Sequence, residues 1–272
     1  MWEYFDLWKF LAGLGIFLFG MSEMEKGLQA LGGKALKGFL RRSTQSPAKA
    51  ILSGTFATAI LQSSSVVTLM LLAFVGAGII NFHNAVGVIF GANLGTTLTG
   101  WIVAVFGFSF KIESFALPMI AAGALGQAFV GKNEKWFAAF KLLAGFGFLF
   151  LGIDFMKGSI DYLAENVDLS EYLVYGNFAF LVFGMLFTAL LQSSSATMVI
   201  TLSALNAGVI PFVTAGSLVI GANLGTTITV LLGAINGHAA KRRVAYAHLF
   251  FNLVTAAIAF PLLSGMVWFI NE

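Results

Sequence analysis

The chain is written twice from one apolar pattern. Sliding the sequence by 130 residues aligns 61–100 with 191–230 without a gap, with roughly half of the positions identical. Both copies read GxxxTAxLQSSS, from Gly54 and from Gly184, and both then reach GANLGTTxT, at 91–99 and 221–229. A shift of 132 also pairs LAGLGIFLFG (11–20) with LAGFGFLFLG (143–152). A chain duplicated in this way folds as two versions of one unit, here 1–131 and 132–272, integrated into a single domain.

The solvent for those units follows from composition. Hydrophobic residues make up 58% of the chain and charged residues 10%, with a mean hydropathy of +0.90; a soluble domain carries about 25% charged residues. Apolar runs recur from one end to the other, which predicts an all-α polytopic membrane protein embedded in a lipid bilayer. The N-terminal run carries Glu3 and Asp6 and a single early base, Lys9, so it reads as an uncleaved first helix and not as a signal peptide. The absence of Cys excludes disulfides and thiolate metal sites. A net charge of +3 does not suggest nucleic acid, because basic residues in a membrane chain more often report orientation.

The apolar runs predict, in the first half, a helix near 5–21, a basic amphipathic stretch at 22–47, a short pair at 48–61 and 66–80, and helices near 84–106 and 112–131. The second half repeats this with a helix near 137–156, an acidic stretch at 157–174, a pair at 175–191 and 196–210, and helices near 212–235 and 244–269. Each member of a short pair spans roughly 21–25 Å at 1.5 Å per residue, less than a hydrocarbon core of about 30 Å. Each pair therefore reads as a re-entrant hairpin, leaving three spans per half. An odd number of spans turns the second half upside down. Charge agrees: 22–49, 131–141 and 236–243 hold 12 of the 15 Lys and Arg. The positive-inside rule then gives inverted repeats in the cell inner (plasma) membrane with both termini outside. The oligomeric state, monomer or homodimer, is open from sequence.

Two motifs carry polar chemistry. A hairpin tip at Gln62, Ser63, Ser64 and Ser65, and its copy at Gln192, Ser193, Ser194 and Ser195, presents a helix N-terminus ringed with hydroxyls. Exposed N–H groups and the helix dipole there attract anions, and each glutamine offers both a donor and an acceptor. In GANLGTT the glycines are expected to let the helix open and expose carbonyls beside Asn93, Thr96 and Thr97, and beside Asn223, Thr226 and Thr227. Neutral oxygens at such breaks suit sodium. No Asp or Glu stands between Ala50 and Phe110 or between Tyr172 and Ile270. A proton relay usually carries an intramembrane carboxylate or histidine, so sodium is the expected coupling ion. Single serines in membrane helices, and small-residue patterns like GANLG, also serve ordinary helix packing. Duplication of both motifs in register is what favours function. An intramembrane serine hydrolase is the rival of another class, but it needs one nucleophile beside a base, and neither QSSS has a matched His nearby.

Paired QSSS motifs, each followed by GANLGTT, together with KRRVAYAHLFFN at 241–252, resemble the type II sodium-dependent phosphate cotransporter family over essentially the whole chain. The resemblance implies a secondary transporter, not an enzyme, that couples sodium to inorganic phosphate at both QSSS regions. Thr68 and Thr197, just downstream, join Ser65 and Ser195 as further sodium candidates. Another oxyanion, or phosphate export, is the nearest alternative. The chain looks like a short bacterial-type member without the PhoU-like helical domain of many relatives. Electrogenic relatives carry an acidic residue after the first QSSS; none stands there here, which implies a charge-balanced cycle of two sodium ions per divalent phosphate.

Overall fold

A computed structural model describes residues 6–109, 113–131, 133–166 and 173–271. The elements are α1 (Leu7–Ser43), α2 (Pro47–Leu61), α3 (Ser64–Gly76), α4 (Phe82–Ser109), α5 (Glu113–Phe129), α6 (Glu134–Asn166), α7 (Gly176–Leu191), α8 (Ser194–Asn206), α9 (Phe212–Ala234) and α10 (Ala239–Asn271). Helix is the only regular structure among the described residues. Portions of α1, α4, α6, α9 and α10 are long and apolar enough to cross a membrane. Large apolar side chains such as Trp8, Trp101, Phe129 and Trp268 stand exposed on their outer faces, which is the surface a lipid-solvated chain presents.

Three boundaries differ from expectation. The stretch after residue 21 is not a separate surface helix, because α1 continues unbroken to Ser43. Two of its charges are paired there: Glu23 bonds Lys26 at 2.8 Å and also Lys141 of α6 at 3.3 Å. Likewise α6 runs on to Asn166, through the first part of the expected acidic connection; Asp168 and Glu171 lie outside the described residues. The span expected at 112–131 is α5, whose 17 residues place it with the shorter apolar helices.

The two halves are joined along α1 and α6. Gly13, Gly20 and Gly27 recur every seventh residue on α1 and meet Gly152, Gly145 and Ala138 in reverse order on α6. A Cβ at Gly20 would stand 2.5 Å from the Leu149 amide nitrogen, so the backbones touch. The descending partner numbers make α1 and α6 antiparallel. These are the two helices that the 132-residue shift equates.

Within each half the packing repeats. Gly54 on α2 abuts the Val88 carbonyl of α4, and Gly184 on α7 abuts the Leu218 carbonyl of α9. Gly91 meets Ile51 and Gly95 meets Thr55, while Gly221 meets Leu181 and Gly225 meets Met185. Ascending partners mean that α2 runs parallel to α4 and α7 parallel to α9. The intervening α3 and α8 must therefore turn back. Hydrogen bonds close both hairpins at the base: Asn84 donates to the Thr44 carbonyl, and Thr214 donates to Asn177 at 3.2 Å. Each returning helix crosses into the other half, α3 onto α9 and α10, and α8 onto α4 and α1. That exchange brings the two tips together.

Candidate functional site

The QSSS sequence builds the same local structure twice. Leu61 and Leu191 end α2 and α7, and the next residue turns left-handed: Gln62 has φ 54° and Gln192 φ 52°. They are the only non-glycine residues with positive φ among those described. Such a conformation in a residue with a Cβ costs about 1–3 kcal/mol and tends to persist where function requires it. The following serine is extended and caps the next helix. Ser63 Oγ accepts from the Val66 amide at 3.4 Å and Ser193 Oγ from the Ala196 amide at 3.2 Å. Ser64, Ser65, Ser194 and Ser195 form the first turns of α3 and α8, where orphan N–H groups and the positive dipole end lie.

Both tips line one cavity of about 220 Å³. Its wall holds Gln62 to Ser65, Gln192 to Ser195, Thr96 from α4, and Leu18, Met21, Ser22 and Glu25 from α1. At about 30 Å³ per water, the space suits a small hydrated solute. Two helix N-termini and six motif serines converge on it, so the cavity is rich in donors for an anion and in hard oxygens for a cation.

The halves are not in the same state. Gln62 is buried: its Nε2 donates to the Ala59 carbonyl at 2.5 Å and its Oε1 accepts from Thr99 of α4 at 3.0 Å. Gln192 is exposed. The residue matching Thr99 is Thr229, whose hydroxyl is buried without a partner among the described residues. One tip is latched to its long helix and the other is released.

The GANLGTT residues play a different part from the one expected. Neither α4 nor α9 opens at this motif, because the glycines are filled by the backbones of α2 and α7 instead. Asn93 bonds the Ile89 carbonyl at 3.0 Å, Thr96 that of Ala92 at 3.0 Å, and Thr97 that of Leu94 at 2.7 Å. Thr226 and Thr227 bond Ala222 and Leu224 in the same way, and Asn223 is half-buried beside them. Thr96 alone of these six lines the cavity. Thr68 is buried behind the first tip and bonds the Ser64 carbonyl at 2.8 Å; Thr197 shares a 2.7 Å bond with Thr188. His248 is buried in α10, away from the cavity wall.

Thr99 and the α1 wall are what motif reading missed. Thr99 was legible, as the last residue of the duplicated GANLGTTxT. Glu25 gave no such signal, since its duplicate position is Lys157.

Against known proteins, the family model described as Na+/Pi-cotransporter matches residues 16–158 and 169–269. The uncharacterised protein YqeW of Bacillus subtilis (strain 168) is 30% identical over 97% of this chain and 85% of its own length. The putative inorganic phosphate export protein YjbB of Escherichia coli (strain K12) is 27% identical over 92% of this chain, which spans only 46% of that protein. Sodium-dependent phosphate transport protein 2A of Mus musculus is 29% identical over 35% of this chain and 15% of its own. No solved structure matches.

Proposed function

This chain belongs to the Na+/Pi-cotransporter family, and from that premise we propose a sodium-coupled secondary transporter of inorganic phosphate that works by alternating access. The observation that carries the reading is the convergence of both QSSS tips on one cavity. A tip about 22 Å from its hairpin base, at 1.5 Å per residue over the 15 residues of α2, passes the middle of a hydrocarbon core of about 30 Å. Two such tips entering from opposite faces would meet near the middle of the membrane. The antiparallel pairing of α1 with α6 supports that inverted arrangement, since an equivalent hairpin follows each.

Phosphate binds in this reading between the N-termini of α3 and α8, with Gln62–Ser65 and Gln192–Ser195 as donors. Sodium takes hydroxyl and amide oxygens of the same tips, from Ser65, Ser195 and Thr96 at the cavity, with Thr68 and Thr197 one layer behind. Asn93, Thr97, Asn223, Thr226 and Thr227 enter only if α4 and α9 rearrange during the cycle. Switching exchanges the latched and released tips, and sodium offsets the anion's charge while the core changes exposure.

The test is radiolabelled phosphate uptake into proteoliposomes under sodium, potassium and proton gradients. Uptake driven by sodium alone is expected, and Gln62→Ala or Gln192→Ala should abolish it while leaving the protein folded in the membrane. Uptake indifferent to sodium, or normal in both variants, would refute the assignment. Net export is the second reading, favoured by the similarity to the putative phosphate export proteins YjbB. Efflux from phosphate-loaded vesicles against an opposed gradient separates the two directions.

A further inference from the structure

Among the residues lining the cavity, Glu25 is the only one that carries a charge. It projects from α1, is half-buried, and its carboxylate interacts with Ser63, the cap of the first tip. Lys26, the cation next to it in sequence, is committed elsewhere. Lys26 and Lys141 both bond Glu23, at 2.8 and 3.3 Å, and no ion pair of Glu25 occurs among the described residues. The remaining polar wall is neutral, made of hydroxyls and two amides.

A lone carboxylate in a small cavity that must also receive an anion poses an electrostatic problem. Like charges sharing one site disfavour each other's ionised forms, and a partly buried charge needs a partner. The same carboxylate, with Ser22 and Ser63 beside it, is a hard-oxygen set of the kind that holds small hard cations. Resting on the transport reading above, we propose that Glu25 holds a sodium ion on the α1 wall, and that this ion is the one that admits the anion. Sodium and phosphate then bind in linked fashion because the ion removes the repulsion between Glu25 and phosphate. Linkage is reciprocal, so each ligand strengthens the other by the same factor.

The experiment measures equilibrium binding of radiolabelled phosphate to the purified protein, with sodium and with an impermeant organic cation in its place. The wild type should bind phosphate more tightly in sodium. In Glu25→Gln that enhancement should fall by at least about tenfold, the scale on which removing one member of a buried charge pair acts. It should fall largely because sodium-free binding is no longer penalised, a gain that a merely structural lesion would not produce. Glu25→Asp, which withdraws the carboxylate from Ser63 by one methylene, should give an intermediate enhancement, and it carries the test should Glu25→Gln fail to elute as a monodisperse species. A sodium enhancement equal to wild type in the folded variants overturns the role of Glu25 and leaves the transporter reading standing. A wild type whose phosphate binding ignores sodium overturns both.

Discussion

At the scale of single residues, the left-handed glutamines hold the most specific information. Gln62 is fixed at both ends of its amide, by the Ala59 carbonyl and by the Thr99 hydroxyl. Thr99→Val would leave the buried Gln62 Oε1 without its donor. Unsatisfied buried groups cost about 1–3 kcal/mol in soluble proteins, while hydrogen bonds between membrane helices average about 0.6 kcal/mol. A modest fall in thermal midpoint is therefore expected, together with a several-fold loss of phosphate uptake, and Thr99→Ser should restore both. Thr229→Val is the informative contrast. It deletes a hydroxyl that has no partner among the described residues, so the purified protein should be as stable as wild type or slightly more so. Equal destabilisation by the two valine variants would show that the halves are in the same state. The duplicated motifs made both tips legible from sequence, because QSSS in register cannot be read as two accidents. They did not reveal Glu25, which enters the cavity from a helix whose duplicate position holds Lys157, so duplication carried no signal there.

Among the helices, close approach dominates. The expected end of the first span near residue 21 follows from hydropathy, since Glu23, Glu25 and Lys26 come next. Hydropathy cannot see that Glu23 is neutralised across the interface by Lys141, or that Gly27 still has Ala138 to pack against. The spacing of Gly13, Gly20 and Gly27 was present in the sequence, and it marks the true length of the α1–α6 contact better than polarity does. The glycines of GANLGTT mislead in the opposite direction. They fit a broken helix equally well until α2 is placed against them. Adding side-chain volume at such a contact forces backbones apart, and overpacking costs about 1–3 kcal/mol. Gly20→Val and Gly145→Val should each lower the thermal midpoint clearly, as measured by loss of the monodisperse peak after heating. Gly15, on the same helix, faces open space, with no neighbouring atom within 4 Å of where a Cβ would stand. Gly15→Ala should leave stability unchanged or raise it, because alanine is the better helix former. A loss from Gly15→Ala as large as that from Gly20→Val would show that helix propensity, and not the interface, sets the response.

For the whole molecule, the decisive property is the relative direction of the two hairpins in the bilayer. Short helices alone do not establish re-entrance. The base contacts show that each hairpin begins and ends at one level, because Asn84 reaches the Thr44 carbonyl and Thr214 reaches Asn177, while the meeting of both tips at one cavity is what argues against two full spans. Since α1 and α6 are antiparallel and each leads into its hairpin, the two bases should face opposite sides of the membrane. The cysteine-free chain permits a direct test with single-cysteine reporters. Gln45 and His83 are exposed at the base of the first hairpin, and Tyr175 and Asn206 at the base of the second. Cysteines at 45 and 83 should react with a membrane-impermeant thiol reagent from one side only, the cytoplasmic side by the distribution of Lys and Arg. Cysteines at 175 and 206 should react only from the other. Were 45 and 83 to label from opposite sides, α2 and α3 would together cross the membrane and the hairpin would not be re-entrant. Labelling of all four from one face would leave the repeats parallel, and two tips could not then approach a shared cavity from opposite directions.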